Sequence, residues 1–287
     1  MKILRTIQEI EEYTKAVKAS GRTIGLVPTM GALHEGHLML MRLARQSCDV
    51  VLASVFVNPV QFGPGEDYDA YPRQFENDCA QLATVPVDAV FHPDPAAMYP
   101  SGYATYITVE SAITHKLCGA KRPGHFRGVA TVVVKLMNLA RADKAFFGQK
   151  DAQQVVVIRR FVADLNLPVE VVMAPISREA SGLARSSRNV YLSAAERTAA
   201  LVLHQSLQAA QTAFSQGEKE CLRLKQIVQT VLAGEPLADP DYVELYSFPQ
   251  LADISRVQGS ALLAIAVRIG RTRLIDNIIL EAEKPCC

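Results

Sequence analysis

Within the first 175 residues the apolar positions gather into short, near-continuous runs rich in β-branched residues, at 23–27, 50–57, 87–91, 145–147 and 169–174. Apolar runs without alternation are the pattern of strands covered on both faces. Between them, apolar residues recur at helical spacing at 37–47, 74–82, 130–139 and 153–166. This alternation predicts an α/β fold built on a Rossmann-like, doubly wound parallel sheet with right-handed crossovers. Two stretches, 58–67 and 119–128, break the rhythm and read as long loops, which in compact domains carry function or move. Beyond about position 175 the pattern changes. Ser193 and Glu196 form a capping box at the head of a long amphipathic helix expected to end near Gly217. A second helix follows at 222–232, then strand-like runs at 242–246, 262–268 and 273–279. The expected organisation is a ligand-binding domain at 1–176 and a smaller α+β domain at 177–287.

Composition narrows the function classes without choosing among them. A chain of 287 residues, 49% hydrophobic, can bury one large core or two domains. Its net charge of +1 gives no global basic excess, so no nucleic-acid partner is expected. Charges interrupt the N-terminal residues, which cannot form a signal-peptide core, and no apolar run reaches membrane-spanning length. No membrane partner is expected either. Cysteines at 48, 79, 118, 221, 286 and 287 lack Cys-x-x-Cys spacing and read as reduced thiols of a cytoplasmic protein. The Cys286-Cys287 tail is expected to fray.

The most informative stretch runs from Val27 to His37, where an apolar strand enters a short loop and His34 and His37 open the next helix. Three residues apart, the two imidazoles share one face of a first helical turn. Unpaired N–H groups and the helix dipole favour anions there. Gly36, lacking a Cβ, lets a phosphate approach the backbone. The set suits a nucleotide triphosphate at the carboxyl edge of a parallel strand. A metal half-site is the alternative, but zincin chemistry needs His-Glu-x-x-His and a third ligand, whereas Glu35 lies inside an i, i+3 pair.

Other candidates fall on similar edges. Gly148, Gln149, Lys150 and Asp151 close a strand and open a helix; Lys150 can neutralise phosphate charge, and Asp151 can cap the helix or bind a sugar hydroxyl. Ser177-Arg178 precedes a segment that sets Ser186 and Ser187 between Arg185 and Arg188, beside Gly182. So many anion donors are unusual for a plain linker. The neutral amides of Gln61 and Gln154 suit the carboxylate and hydroxyl of a small hydroxy acid. The 119–128 stretch fails as a P-loop, because His125-Phe126 stands where Lys-Ser/Thr is required. Lys121, Arg122 and Arg127 read equally as a solvated basic rim or as substrate contacts.

Together these residues resemble the pantoate–β-alanine ligase family of His-x-Gly-His nucleotidyltransferases. The matching stretches are 27–37, 56–63, 71–73, 122–128, 147–154, 182–192 and 274–277, in order along nearly the whole chain. The resemblance implies ATP-dependent condensation of (R)-pantoate with β-alanine to pantothenate, through pantoyl adenylate, with Mg²⁺ and release of AMP and pyrophosphate. It carries over residue by residue. Met30, Gly31, Ala32, Leu33, His34, Glu35, Gly36 and His37 match a first ATP segment, with His37 in the catalytic-acid position. Gly148, Gln149, Lys150 and Asp151 match a second, and Ser177 with Arg185, Ser186, Ser187 and Arg188 a third. His34, Lys150 and Arg188 join His37 in neutralising phosphate charge. Gln61 and Gln154 match pantoate-holding glutamines, Gln61 also lying close to β-alanine. Asp78 is the expected Mg²⁺ contact, although the phosphates can hold the ion themselves. A homodimer is implied, with the second domain as a lid.

Four positions depart from the family pattern: Gln149 where Glu is common, Ala152 where an aromatic is common, Ser181 for Asp and Arg185 for Leu. The site becomes more positive, and a modest change in nucleotide affinity is expected. Two other readings share the motif. An adenylyltransferase would stop at an adenylated product and lack the second domain. A catalytically silent nucleotide sensor would lack the imidazoles or the Lys–Arg set, all of which are present.

Overall fold

The near-continuous apolar runs form the centre of a six-stranded, all-parallel sheet in the structure, a computed structural model that describes residues 1–282. The Cys286-Cys287 tail lies outside the described residues. The strands are β1 (Lys2–Leu4), β2 (Ile24–Thr29), β3 (Val50–Val55), β4 (Ala89–Phe91), β5 (Lys144–Gly148) and β6 (Glu170–Ala174). They pair in the order β1-β4-β3-β2-β5-β6. Every residue of β3 is buried, as expected of a strand with helices over both faces. Those helices are α1 (Ile7–Ala19), α2 (Glu35–Ser47), α3 (Phe75–Leu82), the single turn α4 (Pro95–Met98), α5 (Leu117–Lys121), α6 (His125–Ala140) and α7 (Ala152–Asp164). Strand order reverses between β2 and β5, so the carboxyl ends of these two strands flank the switch point where doubly wound sheets take ligands.

The hydrophobic pattern missed two features of this unit. β1 and α1 carry too little apolar periodicity to stand out, although Thr6 and Glu9 form a capping box before α1. The expected 119–128 loop is instead a helix corner: α5 ends at Lys121, α6 begins at His125, and only residues 122–124 connect them. Gly128 reads as a breaker but is needed inside α6. A Cβ there would lie 2.5 Å from both the Gln61 Cα and the Val60 carbonyl oxygen. The missing side chain lets the chain after β3 pack directly on α6.

Two compact units divide the chain, Met1–Ser177 and Arg178–Cys287. In the second, α8 (Ala194–Ala199), α9 (Leu201–Ser215) and α10 (Cys221–Ala233) accompany an antiparallel sheet of β7 (Ala238–Ser247), β8 (Ser260–Ile269) and β9 (Thr272–Glu281). Leu203, Leu207, Leu224, Leu263 and Ile265 lie in its core. The Ser193–Glu196 capping box forms as expected. The long helix does not: it breaks at Ala200 into α8 and α9. β7 starts four residues before the expected run, at Ala238 rather than 242, through Pro240. An edge strand tolerates that proline at a register shift between Pro240 and Tyr242. Among the described residues, no helix is long and apolar enough to cross a membrane.

The Gly128 contact sets a test of the first unit. Gly128→Ala pushes a methyl group into backbone atoms that cannot rotate away, an overpacking cost of about 1–3 kcal/mol. Denaturant unfolding should show that loss, and an unchanged midpoint would show that the packing of Pro59–Gln61 on α6 is looser than described.

Candidate active site

The connection from β2 to α2 turns through two consecutive left-handed residues, Gly31 (φ 81°) and Ala32 (φ 48°). Its amides are paired almost one by one within the fold. Gly31 N–H donates to Thr29 Oγ1 at 3.2 Å, and that hydroxyl donates to the Ser54 carbonyl at 2.6 Å. Ala32 and Leu33 donate to the two carboxylate oxygens of Asp78 at 3.1 and 2.8 Å. His34 N–H donates to His37 Nδ1 at 3.3 Å, and Gly36 N–H donates to His34 Nδ1 at 3.2 Å. His34 is thus the N-cap of α2 rather than a member of its first turn.

This accounting corrects the expected cradle of free backbone N–H groups. The Gly36 amide is taken by the His34 ring, and the His37 amide by the His34 carbonyl at 2.8 Å. Nor is the face of Gly36 open to a phosphate: a Cβ there would meet the His34 ring at 3.0 Å and Ser177 Cβ at 3.4 Å. The helix mouth offers imidazoles instead. The two rings stack with centroids 4.1 Å apart. Each Nδ1 accepts an amide, so each ring carries its proton on Nε2. Burial, then the neighbouring His34 ring and the Lys150 charge, holds His37 well below the usual histidine pKa. It is a neutral donor at pH 7.

Lys150 comes from across the switch point. β5 ends at Gly148, and the 3₁₀ turn Gln149–Asp151 leads into α7. Lys150 pairs with Asp151 at 3.3 Å. Asp151 makes no side-chain cap on α7, so that expected role falls away. Ala152 is buried. Gln153 and Gln154 divide their work: Gln153 is buried and braces the Ile113, Lys116 and Cys118 backbone at 2.8, 2.6 and 3.0 Å. Gln154, half-buried one residue on, takes no part in that bracing.

Gln61 ends the 3₁₀ turn Pro59–Gln61 after β3 and is held on every side. Its Oε1 accepts from Asn58 Nδ2 at 3.1 Å, which turns Nε2 toward Met30 Sδ at 3.0 Å. Asn58, fully buried, also donates to the Gly128 carbonyl at 3.1 Å and accepts from Tyr99 Oη at 2.7 Å. Arg122 is neither a solvated rim nor open to substrate, because Glu66 takes its guanidinium bidentately at 2.7 and 2.6 Å. Arg122 Nη1 also lies 3.1 Å from His125 Nε2. A guanidinium only donates, so Nδ1 carries the His125 proton and donates to the Gln61 carbonyl at 2.9 Å. Burial and the Arg122 charge bring the His125 pKa down to about 4. Arg127 covers the Tyr106 ring, 4.0 Å from its centroid.

In the second unit, Ser186 caps the 3₁₀ turn Ser187–Tyr191 by accepting from Arg188 N–H at 3.3 Å. Arg185 donates to the Arg178 carbonyl at 3.2 Å. The segment hangs on a buried ion pair: Arg178 meets Asp276 of β9 bidentately at 2.6 and 2.9 Å and donates to the Gly182 carbonyl at 3.1 Å. Asn189 closes it on the Ala184 carbonyl at 3.1 Å. Asn58, His125 and Asp276 were not candidates from sequence. Asn58 and Asp276 left a signal, a polar residue set directly against an apolar strand run.

Asp78 does not match its expected role as a Mg²⁺ ligand. Its side chain is buried, both oxygens already accept backbone amides, and burial pushes its carboxyl up. Among the described residues no group of three His, Cys, Asp or Glu side chains could hold a metal ion. With both oxygens engaged by the turn, Asp78 does not fit as the ligand of a resident Mg²⁺.

Residues 2–279 match the family model described as pantoate-beta-alanine ligase. A pantothenate synthetase from Pelotomaculum thermopropionicum is 56% identical, covering 98% of this chain and 99% of its own. That from Heliobacterium modesticaldum is 53% identical, covering 98% of this chain and 100% of its own. The crystal structure of pantothenate synthetase from Thermus thermophilus superposes with a TM-score of 0.92 at 44% identity, covering 97% of this chain and 99% of that one. The pantoate-beta-alanine ligase of Francisella tularensis, solved in complex with beta-gamma ATP and beta-alanine, gives a TM-score of 0.81 at 32% identity, with 97% of each chain covered. The sequence motifs, the switch-point site and these likenesses agree: the chain belongs to the pantoate–β-alanine ligase family.

Proposed function

We propose that the chain condenses (R)-pantoate with β-alanine at the switch point of the first unit, using ATP and releasing AMP and pyrophosphate. The observation that carries this reading is the pairing of two Nε2–H imidazoles with Lys150 beside a fully oriented Gln61. The Francisella ligase, solved in complex with beta-gamma ATP and beta-alanine, supports the same ligands here.

In the first step a pantoate carboxylate oxygen attacks the α-phosphorus of ATP in line, and pyrophosphate leaves with the bond electrons. In the second the β-alanine amine attacks the acyl carbon of pantoyl adenylate, loses a proton and displaces AMP. No covalent bond to the protein is needed; the site positions groups and stabilises charge. Lys150 supplies positive charge to the phosphates, while His34 and His37 supply neutral N–H dipoles. Gln61 and Gln154 hold pantoate. Met30, Gly31, Ala32, Leu33, Glu35, Gly36, Gly148, Gln149, Asp151 and Ser177 complete the nucleotide segments of the first unit. Arg185, Ser186, Ser187 and Arg188 of the second unit are assigned to phosphate binding on their chemistry. A Mg²⁺ ion accompanying ATP would be held mainly by the nucleotide rather than by Asp78 and would supply charge neutralisation. A cytoplasmic homodimer completes the proposal, supported by the family resemblance and by β6, an edge strand with half-buried Val171, Val172 and Met173.

A coupled AMP assay tests the reaction directly. AMP should form only with ATP, pantoate and β-alanine together; an adenylated product accumulating as the end point would point to an adenylyltransferase instead. His37→Ala should leave the fold intact and slow pantoate-dependent ATP–pyrophosphate exchange by about a hundredfold or more. Because its pKa is lowered, His37 is neutral from below pH 6.5 upward. Exchange by the wild type should therefore rise with pH on the acid side and stay level from about 6.5 to 8. A decline across that plateau would mean that imidazolium is the active form. Gln154→Ala should raise the pantoate KM strongly with ATP binding little changed, and an equal loss of both would refute its assignment.

A further inference from the structure

Asp78 and Gln81 stand three residues apart on α3 and so share one helix face. Between them they grip a short stretch of the β2–α2 turn, three consecutive peptide units from Gly31 to His34. Asp78 accepts from Leu33 N–H at 2.8 Å and from Ala32 N–H at 3.1 Å, while Gln81 Nε2 donates to the Leu33 carbonyl at 3.1 Å. The grip lies where the turn most needs holding. Ala32 is left-handed at φ 48°, an arrangement that L-residues with a Cβ resist. Gly31, just before it, has no room for a side chain, since a Cβ would come 2.8 Å from Asp78 Oδ2. The residues on either side of the gripped stretch are those assigned to ATP: Met30 before it, His34 and His37 after it.

We propose that Asp78 and Gln81 are positioning residues for the nucleotide, clamping the backbone of Ala32 and Leu33 so that His34 and His37 are presented in one fixed arrangement. The inference rests on the switch-point site described above. It replaces a metal-binding role for Asp78 with a role that needs no metal. A carboxylate engaged by two amides and buried against the turn is suited to hold backbone. The coordination of a hard divalent cation asks for several converging oxygens, and the described residues bring no such group together. Gln81 fits the same picture, because its Nε2 donates to the Leu33 carbonyl and so ties the side chain to the turn.

The discriminating experiment measures ATP binding by calorimetry in EDTA, with no divalent ion, and again with Mg²⁺. Asp78→Asn keeps the shape but turns one oxygen into an N–H₂ facing an amide donor. It should weaken ATP binding about tenfold, the loss expected when a charge-assisted bond is removed and its partner left unpaired, and equally in both buffers. Gln81→Leu, which keeps Asp78 intact, should weaken it about threefold. In steady state both losses should fall on the KM for ATP, with kcat within about threefold of wild type. A defect seen only with Mg²⁺, or an increased Mg²⁺ requirement with normal binding in EDTA, overturns the clamp in favour of metal ligation. If Asp78→Asn does not fold, Gln81→Leu decides alone, and unchanged ATP affinity in that variant overturns the proposal. Lys150→Ala, run in the same titration, separates the two levels. If it weakens ATP binding while the α3 variants do not, the site stands and the clamp falls; if it has no effect, the site assignment itself has failed.

Discussion

Every peptide N–H that leaves water has to find a partner, and nowhere is this harder here than between β2 and α2. The chain must leave a buried strand, reverse through Gly31 and Ala32 and enter a helix at Glu35. It does so by giving Gly31 to Thr29, Ala32 and Leu33 to Asp78, His34 to His37, and Gly36 to His34. Magnitudes explain why a carboxylate holds the centre. Left-handed geometry at Ala32 costs about 1–2 kcal/mol. Each hydrogen bond to a charged acceptor returns about 1.5–3 kcal/mol, so the two to Asp78 outweigh it. The consequence reaches the chemistry. With these amides spent on structure, the groups left at the helix mouth for the proposed phosphate contacts are the side chains of His34 and His37.

The imidazoles are neutral for a reason that also governs the neighbouring network. Placing a second cation beside Lys150 in a partly buried site is unfavourable, so burial and that charge keep His37 uncharged. It then donates through Nε2 without competing with Lys150 for counter-charge. His125 repeats the logic beside Arg122 and stays neutral, and its Nδ1–H fixes the Gln61 carbonyl. Asn58 fixes the Gln61 side chain from the other direction. Neutral donors arranged around Lys150 suit a reaction in which negative charge shifts from carboxylate to phosphate and then to a leaving pyrophosphate. Fixed donors need no reorganisation as that charge moves.

The parallel sheet was legible because β3 and its neighbours are buried on both faces, which writes a continuous apolar run into the sequence. The placing of the motifs at carboxyl strand edges followed from strand–helix alternation, whereas the strand order that sets the switch point between β2 and β5 did not. What the pattern could not carry were features decided by contacts between distant segments. Gly128 looks like a helix breaker until the Gln61 backbone is placed against it, so the start of α6 was lost. Ala200 has no residue-level mark of the break between α8 and α9. At the site, His37, Lys150 and Gln61 could be named from motif and edge position, but the use of the backbone could not. Whether the amide of Gly36 is free depends on which way the His34 ring folds, and a sequence holds no trace of that.

The same device serves both units. In the first, buried Asp78 reaches from α3 to hold a turn whose neighbours are assigned to phosphate chemistry. In the second, buried Asp276 reaches from β9 to Arg178, and Arg178 passes the hold to the Gly182 carbonyl ahead of Ser186 and Arg188. In each case the acid is almost wholly excluded from water and bound by donors that fix its direction. Buried and saturated, these two acids anchor the backbone without placing a carboxylate of their own on the surface. Substituting either acid with an apolar residue would strand its partners without acceptors, which costs more than the acid's own contacts contribute. Both turns assigned to phosphate are thus held in place by carboxylates kept out of the solvent's reach.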